Sequence, residues 1–484
     1  MDITSLKAWE MKEKIHNREI SSKEIIEAHI KRIEEVEPKI NAFITLNKEE
    51  ALKEASRIDE KIRNKEEVGV LAGLPIGVKD NIITKNLRTT CASKMLENFN
   101  PPYNATVIDK IKYNDGIIMG KTNMDEFAMG GSSETSYFGA TKNPVDTSKV
   151  SGGSSGGSAA AVGAKEVPLA LGTDTGGSVR QPASFCGVVG LKPSYGMVSR
   201  YGVIPMANTL DQVGVFGRDV KDAALMLSAV TGYDIKDSTS SKRSDSGIII
   251  GDSNEEKNKN YLEGMTIAIP KEYIDLKPAN MDIQAQFDNA VKVFENSGAK
   301  VEIVSVPHLK YALETYYIIM TCEVSSNMAR FDGIRFGHRA ENYDSLDELY
   351  INSRTEGLGD EVKRRIMTGT FALSADHSID YYNKALKVRT LIKNDFDKVF
   401  ANYDVMLSLV SPVLPYDFNS IVNDPIESYK ADLYTVPVNL AGLCSMSIPV
   451  GTVDGLPVGL QITGDRFKEA NIIRAGLGYE RAVL

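Results

Sequence analysis

The chain has 484 residues, 42% of them hydrophobic and 25% charged, which is ample apolar material for a sizeable core. Its 65 Asp and Glu outnumber 56 Lys and Arg for a net charge of −9, which argues against this chain alone gripping a nucleic-acid backbone and leaves room only for a local basic patch. Four cysteines, at 91, 186, 322 and 444, lack zinc-like or disulfide-framework spacing, and no run is apolar enough for a signal peptide or spanning helix, so a reducing, cytoplasmic setting without membrane contact is expected.

In chain order, Ser21-x-x-Glu24 is a capping-box pattern, and Ile25, Ile26, His29, Ile30 and Ile33 follow at helical spacing, predicting a helix that Pro38 stops. A short strand over 42–46 and a helix over 47–63, with Leu52, Ala55, Ile58 and Ile62 on one face, come next. From about residue 66 short apolar runs at 68–78, 117–119, 167–171, 266–269 and 301–306 alternate with helix-like stretches, the pattern of an α/β sheet protein. Residues 234–262 are polar and poor in apolar side chains and read as a surface excursion. It could mark a domain boundary, but regular patterns resume at 265, so one large interrupted domain over 1–484, with a helical segment over 1–65, is equally consistent.

Glycine and serine gather at 151–158 (SGGSSGGS) and 172–178 (GTDTGGS). Such clusters are often flexible linkers. Here the first runs into the helix-forming Ala159, Ala160, Ala161 and Val162, and the second follows the apolar VPLAL, so both sit at junctions of core elements. Glycine turns at such junctions let backbone N–H groups converge on an anion. A bound phosphate would call for a G-x-x-x-x-G-K-[ST] loop, and the nearest candidate, Gly116 to Thr122, has one spacer residue too few. A transient oxyanion calls for a nucleophile beside those groups, and Ser178 ends the second cluster.

A serine nucleophile needs a base. The histidines, at 16, 29, 308, 338 and 377, are all distant in sequence, and no G-x-S-x-G elbow is present, although a Ser-His-Asp set could still assemble from separate segments. A buried lysine held neutral is the other option, and Lys79, at the end of the run LAGLPIGV, is the best placed. By its local sequence alone, a lysine at a strand end is more readily a solvated, snorkelling side chain.

GVKDN around Lys79, GGSSGGSAAAV at 152–162, GTDTGGSVRQPA at 172–183 and GLKPSYG at 190–196 together resemble the amidase signature family. The resemblance implies an α/β fold with a large mixed sheet covered by helices on both faces. It implies a Ser-cisSer-Lys triad of Ser178, Ser154 and Lys79, with a cis Gly153–Ser154 peptide, and N–H groups of Thr175, Gly176, Gly177 and Ser178 facing the oxyanion. Ser155 would support the network by hydrogen bonding.

Motifs beyond the signature resemble the branch of that family that works as the glutaminase of tRNA-dependent amidotransferases: KTNMDEFAMG at 121–130, SSNMARFDGIRFG at 325–337, EVKRRI at 361–366 and TVPVNLAGL at 435–443. That branch implies glutamine as substrate, with Arg365 holding its α-carboxylate and Asp432 its α-ammonium; Arg364 is adjacent, and a helix can turn only one of the two inward. It also implies no cofactor or metal in this chain, and a heterotrimer with B- and C-type subunits that hold tRNA and use ATP and Mg²⁺ on Glu-tRNA or Asp-tRNA. A stand-alone amidase acting on another small amide is the alternative. Departures from the pattern fall at Gly131, in the stretch 408–418 and at Cys444-Ser445 within 443–451, of which the last two are expected to border the substrate pocket.

Overall fold

All but one of the apolar runs become strands whose neighbours bury them, the exception being 301–306 at the sheet's edge. In the computed structural model, which describes residues 2–243, 260–276, 278, 280–375, 377–420 and 429–483, eleven strands among the described residues form one mixed sheet. They are β1 Phe43–Leu46, β2 Pro75–Lys79, β3 Ile117–Thr122, β4 Leu169–Asp174, β5 Val189–Lys192, β6 Gln212–Gly217, β7 Thr266–Pro270, β8 Lys300–Val304, β9 Val405–Leu409, β10 Cys444–Val453 and β11 Leu456–Gly464. The order across the sheet is β1-β3-β2-β4-β6-β5-β10-β11-β9-β7-β8. Every residue of β2, β3, β4, β5, β6, β9 and β11 is buried, which is why the runs that became β2, β3 and β4 are continuous rather than alternating. β8, at the edge, carries the paired charges of Lys300 and Glu302 instead.

β2 runs parallel to both β3 and β4, with Val78 beside Leu171. The ends of β2 and β4 therefore emerge at one edge of the sheet, where parallel strands commonly present ligand sites. Lys79 closes β2 and Asp174 closes β4.

Two sequence expectations shift. The helix Ser22–Ile40 does carry its Ser21–Glu24 capping box, but Pro38 lies inside its last turn, and the helix ends at Asn41, which takes the left-handed conformation at φ 58°. The run 68–78 yields a strand only from Pro75. Its first part is a turn, because Leu71 N–H donates to the Asn114 carbonyl, Gly73 N–H to that of Asp115, and Gly73 sits at φ +76°. Of the expected excursion at 234–262, residues 244–259 lie outside the described residues. Its start is anchored, since Asp234 accepts hydrogen bonds from Ser199 Oγ and Thr106 Oγ1, both at 2.6 Å. The four cysteines are free and buried, and no helix among the described residues is long and apolar enough to cross a membrane.

Candidate active site

Lys79 is fully buried, its Nζ 2.8 Å from Ser154 Oγ, 2.7 Å from Ser155 Oγ and 3.3 Å from the Thr173 carbonyl. Burial pushes its pKa down to about 7, against the pull of Asp125, Asp174 and Asp211 in the opposite direction. Ser155 is also the N-cap of the helix Gly156–Gly163, whose positive end further disfavours an ammonium. The Gly153–Ser154 peptide is cis. Glycine is required at 153, since a Cβ there would fall 2.1 Å from Asp125 Oδ2. The Asp125 N–H donates to the Ser154 carbonyl, so the motif 121–130 serves as a backing for the Ser154 turn.

The hydrogen bonds around Lys79 allocate its protons. Ser155 Oγ donates its one proton to the Thr173 carbonyl at 3.1 Å, so towards Lys79 it can only accept. The Thr173 carbonyl can only accept as well. A neutral amine spends its two N–H bonds on these two oxygens and turns its lone pair to Ser154, the one contact able to give it a proton. No histidine enters this arrangement: His29 Nδ1 donates to the Glu166 carbonyl, while His308 pairs with Asp395 and His338 with Glu356.

Within 166–186, Ser178 and no other residue is partly exposed. Ser155 N–H donates to its carbonyl at 3.2 Å, joining the two glycine-rich segments. Among the expected oxyanion donors, Gly177 differs: its N–H is already given to Asp174 Oδ1 at 3.0 Å. The N–H groups of Gly176 and Ser178 have no partner among the described residues. Thr175 is held through its side chain, which donates to Asp211 Oδ1 at 2.7 Å.

Asp174 and Arg180 form a buried two-pronged pair, Nε to Oδ2 at 3.1 Å and Nη2 to Oδ1 at 3.0 Å. Burial alone would raise the Asp174 carboxyl, but the Arg180 charge holds it well below the usual carboxylate range. Arg180 further donates to Gln461 Oε1 at 2.7 Å and the Thr435 carbonyl at 3.0 Å. Asp174→Asn leaves that guanidinium without its countercharge and is expected to cost about 3–5 kcal/mol of stability. Urea unfolding checks this, and an unchanged midpoint would contradict it.

A cavity of about 390 Å³ adjoins this loop, lined in part by Gly131, Tyr317, Arg365, Tyr416, Tyr429 and Asp432. Ser154 and Ser178 are not among its lining residues, but two walls connect to them. Gly131 belongs to the segment packed on Gly153, its carbonyl accepting from Gln181 Nε2 while Gln181 Oε1 accepts from Gly153 N–H. Asp432 begins the turn that carries Thr435, which bonds to Gly176.

Both adjacent arginines line the cavity, Arg365 buried in its wall and Arg364 exposed. The choice is made by a close crossing one turn away, where a Cβ on Gly369 would fall 1.9 Å from the Thr321 carbonyl, bringing Arg365 of the helix Asp360–Leu373 over Tyr317 of the helix Ala312–Met328. Arg365 Nε donates to Glu361 Oε1 at 2.8 Å. Burial works against its charge, but Glu361 and the surrounding tyrosines more than offset this and keep it cationic. Asp432 Oδ2 accepts from Tyr317 Oη at 2.8 Å, and Tyr317 stacks on Tyr429 with ring centroids 3.9 Å apart. Enclosure pushes the Asp432 carboxyl up to about 7, against the opposing effects of Tyr317 and Arg365.

Sequence reasoning missed Asp174, Arg180, Tyr317, Tyr429, Glu361 and Thr435. An Asp and an Arg six residues apart astride Ser178 were a readable signal; Tyr317, inside TYYI, carries none. The departures separate. Gly131 and Tyr416 line the cavity, whereas Cys444 and Ser445, buried in β10 and paired with β11, are not among its lining residues. At Gly131 an added Cβ meets nothing within 4 Å, so a serine would fit there unopposed.

The profile of the family described as Amidase matches residues 24–473. The chain is 51% identical over 482 residues to the A-type component of glutamyl-tRNA(Gln) amidotransferase from Caldanaerobacter subterraneus, covering 100% of this chain and 97% of that protein. It is 50% identical to the protein of the same name from Bacillus licheniformis, covering 100% and 98%. Among solved structures, the Thermotoga maritima A-type component of glutamyl-tRNA(Gln) amidotransferase superposes with a TM-score of 0.78 at 38% identity, over 98% of this chain and 94% of that one. A bacterial aryl acylamidase of the amidase signature family superposes at 0.83 with 26% identity, over 99% and 96%.

Proposed function

The chain belongs to the amidase signature family, and on that footing we propose that it is the glutamine-hydrolysing component of a tRNA-dependent amidotransferase. The observation that carries the substrate is a cation and a carboxyl, Arg365 and Asp432, on one cavity joined to the serine loop. A free amino acid needs both, one for its α-carboxylate and one for its α-ammonium, and an unrelated neutral amide needs neither. The high identity to proteins named for this activity supports the same reading.

The chemistry follows from the proton allocation around Lys79. Neutral Lys79 takes the Ser154 proton while Ser154 takes that of Ser178, whose Oγ then attacks the side-chain amide of glutamine. The tetrahedral oxyanion is met by N–H groups of the 175–178 loop. The relay reverses to hand a proton to the departing nitrogen, which leaves as ammonia, and water, deprotonated by the same relay, releases glutamate from the acyl-enzyme. B- and C-type partner subunits, one holding the tRNA and using ATP and Mg²⁺, would consume the ammonia on Glu-tRNA(Gln) or Asp-tRNA(Asn).

Steady-state kinetics on glutamine, with the partners present, test the assignment of the cavity. Arg365→Ala is expected to raise KM by about 100-fold, the loss of a charge-assisted contact of about 3 kcal/mol, with a much smaller effect for the exposed Arg364→Ala. Equal effects from the two, or faster turnover of unrelated amides than of glutamine, would favour a stand-alone amidase.

A further inference from the structure

The Gly176–Gly177 peptide is held at both ends. Its carbonyl accepts from Thr435 Oγ1 at 2.6 Å and its N–H donates to Asp174 Oδ1 at 3.0 Å. The two holders are themselves joined, because Arg180 donates Nη2–H to Asp174 Oδ1 and Nη1–H to the Thr435 carbonyl, each at 3.0 Å. The hydrogen bonds thus close a ring around one peptide plane.

A peptide plane flanked by two glycines rotates easily unless something stops it. Gly177 sits at φ +137°, and a Cβ on it would lie 2.4 Å from Thr435 Oγ1, so the threonine occupies the space that the missing side chain leaves. On the other side a Cβ at Gly176 would fall 2.5 Å from the Tyr316 ring. Fixing this plane constrains the planes before and after it, which carry the unpartnered N–H groups of Gly176 and Ser178. Oxyanion donors are effective when they are aimed before the charge develops, since then no reorganisation is needed. Thr435 also reaches the substrate end of the site: its N–H donates to the Asp432 carbonyl at 3.1 Å.

We propose that Thr435 is a positioning residue for the oxyanion loop. Its hydroxyl sets the Gly176–Gly177 peptide so that the neighbouring N–H groups face the reacting carbonyl, and its bond to Asp432 ties that setting to the residue that receives the substrate's ammonium. Thr435 does not touch substrate. The inference rests on the function proposed above.

The test uses the full chain with its partner subunits, comparing Thr435→Val, which keeps the shape and removes the donor, with Thr435→Ser, which keeps the donor, and Thr435→Ala as a second donor-free variant. Loss of the hydroxyl is expected to lower kcat by about 10–100-fold, up to the scale of removing an oxyanion donor itself. KM should stay within about threefold, and the Ser variant should recover most of kcat. A donor-free variant with wild-type kcat overturns the proposal, as does equal loss in the Val and Ser variants. If the wild-type chain turns over another small amide and not glutamine, the glutamine reading fails by itself, because the variant ratios read on that amide still decide the role of Thr435.

Discussion

Replacing Lys79 with alanine or with arginine is expected to slow glutamine hydrolysis by about a thousandfold or more, within the range supplied by a positioned base. Alanine has nothing to accept a proton from Ser154. Arginine keeps the size and polarity but stays protonated at any workable pH, so its failure separates a neutral-amine base from a mere positive charge. The pH profile carries the same information. With Lys79 brought down to about 7 by burial, kcat should fall as pH drops below that value, because the ammonium cannot take the Ser154 proton. Asp432 also sits at about 7 and must be ionised to receive an ammonium, so kcat/KM, which reports the free enzyme, should fall more steeply than kcat on the acid side. Stability moves with pH as well. Between about 7 and the ordinary lysine value near 10.4 the unfolded chain binds a proton that folded Lys79 does not, so the contribution of Lys79 to stability rises with pH across that window and is flat below it. An arginine variant with wild-type turnover, or a pH profile flat between 6 and 8, would rule out the neutral lysine.

Ser178→Ala should be the most damaging substitution for activity and among the mildest for the fold. Removing a catalytic serine outright has cost about a millionfold in serine hydrolases, since no other group can form the ester. The Ser178 side chain is half-exposed and makes no hydrogen bond to any described residue, so the change in stability should stay within about 0.5 kcal/mol. Asp174→Asn, four residues away, should do the reverse to the fold. Ammonia release and urea unfolding on the two variants check the contrast.

Local pattern was enough for some of this architecture. The Ser21–Glu24 capping box, the strands β1, β3, β4, β7 and β8, and the placing of both glycine clusters at element junctions could be read from neighbouring residues alone. What depended on distant parts of the chain could not. Lys79 looks like a surface lysine in its own segment, and it becomes a buried base because β2 is flanked on both sides, by β3 and β4, an arrangement legible only through the family resemblance. Helical geometry says that one of Arg364 and Arg365 faces inward, but the Gly369–Thr321 crossing decides which. The Gly177 N–H faces Asp174 instead of the oxyanion because the carboxylate, fixed by Arg180, reaches it first. Tyr317 and Thr435 matter through contacts with residues more than a hundred positions away, and nothing beside them in the chain marks them.

The central claim is that Ser178 carries the acyl group of glutamine. Acid quenching of the full chain and its partners during glutamine turnover, followed by peptide mass mapping, reads that ester directly. A glutamyl adduct on the Ser178 peptide, absent in Ser178→Ala, is the predicted result; an adduct on another residue, or glutamine turnover at the wild-type rate by Ser178→Ala, would contradict it.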